Sequence, residues 1–277
     1  MKDTAKHRPR HRLFFGLCLS LCAGSPAATE VAPGEHSDSG SPMLERFRQQ
    51  LALASHSPIQ AEVQLQSLST DGKGDSLRER HGELHFRVEY GAGGLSLHYS
   101  PQTLAALDAE RRLKVQEPDA DSPHLNALNA LDLTDVKDLL DPTKALSRSI
   151  DSAEFLGEEA IACGEASCTK LQFAYGEERL SGSNKRFVKE FEGRIEVVVD
   201  AEGRPQRAKQ HSLAKGRVFL IIGFQSSTES HWEYGYNEGR LITKEHRSYR
   251  ESSGGGEQAS MEQNYSLRPL SSAAENP

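Results

Sequence analysis

The sequence is poor in cysteine, which excludes the chemistry that dense cysteine patterns support. Its 277 residues contain four cysteines, and Cys18 and Cys22 lie near the N-terminus. Only Cys163 and Cys168 lie further along the chain, within IACGEASCTK. Their C-x4-C spacing is not the C-x-x-C of thiol oxidoreductases, and no second Cys/His pair nearby completes a zinc tetrad.

The common catalytic motifs are also missing. The chain has no G-x-S-x-G elbow, P-loop, G-x-G-x-x-G or H-E-x-x-H motif, so it lacks the signatures of serine hydrolases, nucleotide-binding enzymes and zincins. Carboxylate pairs stay open as a catalytic device, because 40 acidic residues bring some carboxylates together in any fold. A non-enzymatic protein without a cofactor is therefore favoured.

No hydrophobic run is long enough to cross a bilayer as a helix of about 20 residues. The N-terminus combines five Lys/Arg residues, an uncharged run over 13–24 and small residues up to Ala27. This layout predicts a secretory signal peptide over 1–27 and an exported, soluble, periplasmic protein. The alternative is a lipoprotein anchored through one of the two N-terminal cysteines, although Leu21 stands where such a signal has a small residue.

Basic charge is scarce once this segment is removed. Cleavage takes away five of 33 Lys/Arg and one of 40 acidic residues, which leaves 28 against 39 and a formal charge of −11. Nucleic acid and anionic lipid surfaces repel such a chain, so neither is predicted as a partner.

Export also bears on the remaining cysteine pair. Cysteines of exported proteins are oxidised more often than they bind metal. We therefore predict a structural disulfide between Cys163 and Cys168 that holds a turn between two strands. Free thiols and a metal or redox site are the alternatives.

Hydrophobic periodicity outlines the first half of the fold. Residues 28–41 are polar and predict a disordered leader, and Ser41 followed by Pro42 is typical of a helix start. Apolar residues then alternate with polar ones in three segments separated by Gly- and Asp-containing turns. We expect an antiparallel meander of strands over 59–66, 82–90 and 95–100.

A helical insert over 101–150 separates this meander from a second strand-rich block. VFLIIGF (218–224) is apolar at every position except its glycine and predicts a central strand covered on both faces. A Gly/Ser tract over 252–260 precedes a last short strand. We predict one α+β domain over 42–270, a curved antiparallel sheet with the N-terminal helix and the insert packed on one side, before a disordered tail over 271–277.

The sequence HGELH contains the strongest metal-ligand pattern. His81, Glu83 and His85 share one face of a strand because side chains two residues apart point the same way. The predicted GAGG turn places Arg87 opposite His98. His98, the fourth candidate ligand, therefore lies diagonal to His85. These side chains are a candidate zinc or copper set, and the alternative is an exposed polar face.

Aromatic side chains supply the candidate ligand-binding residues. Trp232, Tyr234 and Tyr236 lie on one face of one strand, and Phe86 and Tyr99 lie in the first meander. Such a stripe can line an apolar groove in which tyrosine hydroxyls orient a ligand. Ordinary cross-strand packing is the alternative interpretation.

The order of elements, together with the D-x-x-G-x-P turn at Asp200, Gly203 and Pro205, resembles the periplasmic lipoprotein-carrier superfamily, which sorts outer-membrane lipoproteins. The resemblance implies an incomplete β-barrel closed by helices, with a cavity for acyl chains. It assigns no binding residue.

Together these patterns predict an exported envelope protein that binds an apolar ligand or a lipoprotein between sheet and helices. Two alternatives stay open. One is a periplasmic domain that binds another envelope protein, or has a structural role, without a ligand. The other is a metal-binding protein or metalloenzyme that uses the histidine cluster.

Overall fold

The computed structural model describes residues 40–74, 76–164, 166–180, 185–218 and 222–270. The predicted signal peptide, nearly all of the predicted leader and the predicted tail lie outside these residues. The described strands are β1 (Ile59–Gly72), β2 (Arg78–Gly91), β3 (Gly94–His98), β4 (Glu154–Cys163), β5 (Ala166–Tyr175), β6 (Val188–Val199), β7 (Pro205–Val218), β8 (Ile222–Asn237), β9 (Arg240–Gly254) and β10 (Glu257–Pro269).

Five α-helices accompany the strands in the described residues: α1 (Pro42–Leu53), α2 (Pro101–Gln116), α3 (Pro123–Ala130), α4 (Leu133–Leu140) and α5 (Thr143–Asp151). A short 3₁₀ helix spans Glu177–Arg179. Helix α1 begins as predicted, because the Ser41 hydroxyl accepts a hydrogen bond from the Leu44 amide at 3.0 Å.

All ten strands form one antiparallel sheet in the order β3-β2-β1-β10-β9-β8-β7-β6-β5-β4. The last strand, β10, pairs with both β9 and β1 and so joins the two predicted strand-rich blocks. Strands β3 and β4 are the two edges, and the sheet does not close into a barrel. The predicted α+β class, a curved antiparallel sheet with helices, is confirmed.

Two hydrophobic cores lie between the helices and the sheet. In the first, α1 and α5 pack on β5, β6 and the neighbouring strands through residues such as Phe47 and Phe173. In the second, α3 and α4 pack on β1, β2 and β10 through residues such as Leu139 and Leu65. Each fully buried large apolar side chain contributes about 1.5–3 kcal/mol to the free energy of folding. The two hydrophobic cores therefore hold the helices to the sheet.

The predicted central strand over 218–224 is wrong. Strand β7 ends at Val218, β8 begins at Ile222, and these two residues pair with each other. The segment therefore spans the connection of a hairpin, residues 219–221 lie outside the described residues, and Ile222 is 42% exposed. An unbroken apolar run carries no alternation, so it does not distinguish a doubly covered strand from a strand end.

The predicted disulfide implies a strand before Cys163, but the extent of strand β4 was not predicted. Its sequence, EFLGEEAIAC, does not alternate regularly, because the register with β5 shifts between Phe155 and Gly157. Gly157 adopts a φ of 141°, which favours glycine. The irregularity removes the period of two by which sequence reasoning finds strands.

Helix α3 approaches the sheet backbone unusually closely at Gly82. A Cβ atom at this glycine would lie 2.6 Å from the amide nitrogen and 2.9 Å from the Cα of Ala127, and would also meet the Ser67 hydroxyl. The Asn126 side chain donates a hydrogen bond to the His81 carbonyl at 2.8 Å beside it. Only glycine allows this seating of α3 on β2.

We expect Gly82→Ala to lower the free energy of unfolding by roughly 1–3 kcal/mol, because the new methyl group displaces α3 from the strand. Urea denaturation measures the change. The matched control is Gly223→Ala in β8, where an added Cβ has no atom within 4 Å. Equal effects of the two substitutions would contradict the close approach of α3.

Candidate functional site

A buried arginine anchors the helices that cover one face of the sheet. Arg240, the first residue of β9, is 2% exposed. Its Nε donates a hydrogen bond to the Leu140 carbonyl at 2.7 Å, and its Nη1 donates to the Ser57 carbonyl. The guanidinium also lies over the Tyr90 ring, 5.3 Å from the centroid. One side chain thus links β9, the end of α4, the segment before β1, and β2.

The charge of this arginine faces Asp141, which is 7% exposed and lies between α4 and α5. An Asp141 oxygen is 4.0 Å from Nη2 of Arg240. The same carboxylate accepts a hydrogen bond from the Thr143 hydroxyl at 2.5 Å and lies 3.2 Å from Nδ1 of His56. Because the Thr143 hydroxyl donates to the carboxylate, this cluster satisfies a buried charge and is not arranged as a nucleophile with its base.

We expect Arg240→Met to lower the free energy of unfolding by about 3–5 kcal/mol, because it leaves Asp141 buried without its arginine. Arg247→Met is the control on the same strand, since Arg247 is exposed and pairs with Glu245 at 2.8 Å. Its loss is expected to cost less than about 1 kcal/mol. Similar denaturation midpoints for the two variants would contradict an anchoring role.

Three aromatic rings form a row across β8, β9 and β10 on the helix-covered face. Trp232 stacks on His246 with ring centroids 5.0 Å apart and planes at 4°. His246 stacks in turn on Tyr265 at 6.0 Å and 7°. Sequence analysis had assigned His246 no role, because its neighbours depend on strand pairings that the sequence alone did not give.

The five predicted ligand-binding residues do not lie in one cluster. Trp232 and Tyr234 belong to the first core, and Phe86 and Tyr99 to the second, where their rings are 5.9 Å apart. Tyr234 and Phe86 are buried, whereas Tyr236 is 39% exposed. Of the five, only Trp232 combines partial exposure with a place in the aromatic row.

Acidic residues of α4 lie above this row. The Asp132 amide donates a hydrogen bond to the Tyr265 hydroxyl at 3.4 Å. Burial, reinforced by the neighbouring aspartates, raises the pKa of Asp135 to about 7, and the charge of Arg250 opposes this shift. Burial also raises the pKa of Asp138 to about 6, although nearby Arg148 and Lys137 lower it.

Beyond the aromatic row, the same face of the sheet becomes polar. Successive cross-strand pairs join Ser230 to Ser248 and Thr228 to Arg250. The Thr228 hydroxyl and Nε2 of His246 are buried without a hydrogen-bond partner among the described residues. Trp232 therefore stands at the boundary between an apolar half and a hydroxyl-rich half of the helix-covered face.

The predicted metal ligands project from the opposite face and do not converge. Arg87 pairs with His98 as predicted. Each histidine, however, lies beside a carboxylate: His81 with Glu79 at 2.8 Å, His85 with Glu83 at 3.2 Å, and His98 with Glu89 at 4.0 Å. Within the described ranges, no group of three or more His, Cys, Asp or Glu side chains is placed to hold a metal ion.

The predicted disulfide is present. Cys163 and Cys168 are bonded, with Cα atoms 5.8 Å apart, and join the end of β4 to the start of β5. Gly164 in the intervening turn has a φ of 64°. The bridge is thus a covalent tie in an edge hairpin, as expected.

No protein-family model matches the chain, and no curated protein matches it significantly. Over the parts of the chain that are described, no helix has the length and apolar character needed to span a membrane.

We expect two opposing pH effects from the aromatic row and the helix above it. Burial lowers the pKa of His246 from 6.5 to about 4, so the unfolded chain binds the extra proton more readily than the native one. Stability from this group is present above pH 6.5 and is lost as pH falls towards 4. The raised pKa of Asp135 has the opposite effect, because stability falls as pH rises from about 4 to 7.

Denaturation of His246→Phe and Asp135→Asn between pH 4 and pH 8 separates these effects. Relative to His246→Phe, the wild-type protein should lose roughly 3 kcal/mol on acidification from pH 6.5 to 4. Relative to Asp135→Asn, the wild-type protein should lose stability as the pH rises from 4 to 7. Parallel curves for all three proteins would contradict the burial of both groups.

Proposed function

We propose that this chain is an exported, non-enzymatic envelope protein that binds an amphipathic ligand, such as a lipid or the acyl end of a lipoprotein, between sheet and helices. The supporting observation is the position of Trp232. It is partly exposed where the apolar and hydroxyl-rich halves of the helix-covered face meet. The proposal keeps the carrier function that the order of elements implies.

The two halves of this face suit the two ends of such a ligand. An acyl chain would extend from Trp232 towards the first core and bury apolar surface. A polar head would face the hydroxyls of Ser230 and Ser248 and the exposed guanidinium of Arg250. His246 and Thr228, which each leave a buried polar atom without a partner, would gain one from the ligand or its water.

Access requires part of the helical cover to move, because side chains of α1, α3, α4 and α5 already fill both cores. Helix α2 is the most weakly packed of the described helices, and it packs on α3 beside the second core. Only Thr103 and Leu107 of its 16 residues are buried, while Leu104 is 53% and Val115 is 81% exposed. Displacement of α2 costs little buried apolar surface.

A second candidate function is partner binding by strand addition at a sheet edge. Strand β4 pairs only with β5 in the described sheet, is ten residues long, and exposes 49% of Leu156. An unpaired edge of this length can accept a strand of another protein. No bound lipid would be needed for this function.

Native mass spectrometry of protein purified from the exported fraction without detergent tests the first proposal. We expect an added mass of several hundred daltons that organic extraction removes. The extracted protein should bind oleate again and change the fluorescence of Trp232, the single tryptophan of the chain.

Two variants make the test specific. Ser230→Phe fills the surface next to Trp232 and should abolish the fluorescence response. Tyr236→Phe, further along β8 and outside the aromatic row, should retain it. A bare polypeptide mass together with no response to oleate would reject the lipid carrier. That outcome would leave strand addition at β4 as the favoured function.

A further inference from the structure

The Gly/Ser tract over 252–260 forms the β9–β10 hairpin and borders two cavities. The first has a volume of about 350 Å³ and the second about 420 Å³. Both are lined by Gln225, Ser253 and Gln258, so they adjoin and form one groove across the ends of β8, β9 and β10. Each volume lies within the range of about 300–1,000 Å³ that is usual for small-ligand sites.

Most side chains that line the first cavity project away from the helices. Ser227 and Tyr249 are an odd number of residues from Trp232 and His246 along their strands, so they occupy the opposite face of the sheet. The groove is therefore separate from the proposed lipid site, and nothing in its chemistry depends on that proposal.

The lining is polar but nearly uncharged. Apart from Glu251 and Glu257, its side chains are amides, hydroxyls or apolar groups, and no lysine, arginine or histidine is among them. At the first cavity the Glu251 carboxylate repels phosphates and acidic ligands, whereas the Lys73 side chain lies beside Gly256 at the second cavity. The first cavity thus selects against nucleotides, phospholipid head groups and acidic polymers.

Hydrogen-bonding groups in the groove are available to a ligand. The side chains of Gln225, Gln258 and Ser260 form no hydrogen bond with another described residue, so amide and hydroxyl groups of both donor and acceptor type face the groove. Glu251 accepts a hydrogen bond from the Tyr249 hydroxyl at 3.3 Å and retains further acceptor positions.

Flat apolar surface completes the site. Tyr249 is 44% exposed and Leu77 is 50% exposed, both at the first cavity. Phe224 lines the second cavity at the other end of the groove. Aromatic faces separated by amides, hydroxyls and a carboxylate match a pyranose ring, whose C–H face is apolar and whose rim consists of hydroxyl groups.

We propose that this groove binds an uncharged oligosaccharide, with one sugar ring on Tyr249 and its hydroxyls held by Gln258, Gln225 and Glu251. The two adjoining cavities, of about 350 and 420 Å³, together offer space for more than one sugar unit. A protein with this site would attach to a neutral glycan while its helix-covered face remains free.

Saturation-transfer NMR with the full-length mature protein tests the site. Chitotetraose, cellotetraose and maltotetraose are the uncharged probes, and tetragalacturonate is the acidic one. We expect at least one uncharged probe to receive saturation and tetragalacturonate to receive none. Tyr249→Ala should weaken binding of that probe at least tenfold, and Gln258→Leu should weaken it with the aromatic surface intact.

Tyr236→Ala is the matched control, because Tyr236 is a similarly exposed tyrosine at the other end of β8. It should bind the probe as the wild-type protein does, and circular dichroism of each variant should show an unchanged fold. The proposal would be overturned if no uncharged probe bound, if tetragalacturonate bound equally well, or if Tyr236→Ala lost binding as Tyr249→Ala does. Oleate binding is measured separately, so failure here leaves the lipid proposal unaffected.

Discussion

The ion pair between Arg240 and Asp141 is the interaction on which the arrangement of sheet and helices depends. A guanidinium is stable in the interior only when its donors are satisfied and its charge is opposed. Arg240 meets most of this requirement: Nε and Nη1 donate to the carbonyl groups of Leu140 and Ser57, and the Asp141 carboxylate opposes the charge at 4.0 Å from Nη2. Nη2 itself has no hydrogen-bond partner among the described residues. The partners of Arg240 belong to the α4–α5 junction and the segment before β1. The position of the helical cover is therefore coupled to the start of β9.

This constraint divides the molecule into a fixed part and a movable part. Helices α4 and α5 are held by the ion pair and by the two cores, whereas α2 buries only two of its residues. The proposed carrier function requires such a division, since a ligand would have to enter a space that is otherwise packed.

Sequence reasoning predicted the parts of the fold that rest on local patterns. The start of α1 at Pro42, the first meander, the helical insert and the Cys163–Cys168 bridge follow from capping residues, alternation and spacing. The prediction of a central strand over residues 218–224 was wrong, because an apolar run without alternation does not fix the position of a strand. The extent of strand β4 was not predicted because its register shift hides the period of two.

The candidate sites were less accessible to prediction, because they depend on which strands become neighbours. His246 joins Trp232 and Tyr265 only through the pairing of β9 with β8 and β10, and Arg240 meets Asp141 across about a hundred residues of sequence. Conversely, the sequence predicted a candidate metal site from His81, His85 and His98 on one face of the sheet. In the structure each of these histidines lies beside a carboxylate instead. Long-range partners of this kind are not encoded in local periodicity.

Segment-resolved amide hydrogen exchange on the wild-type protein and on Asp141→Asn tests the central claim most directly. The account predicts that α4 and α5 of the wild-type protein exchange nearly as slowly as the central strands, and α2 much faster. In Asp141→Asn, α4 and α5 should become fast while β5–β8 remain protected. Equal protection of α2 and α4 in the wild-type protein, or unchanged exchange in the variant, would contradict the claim that this ion pair fixes the cover.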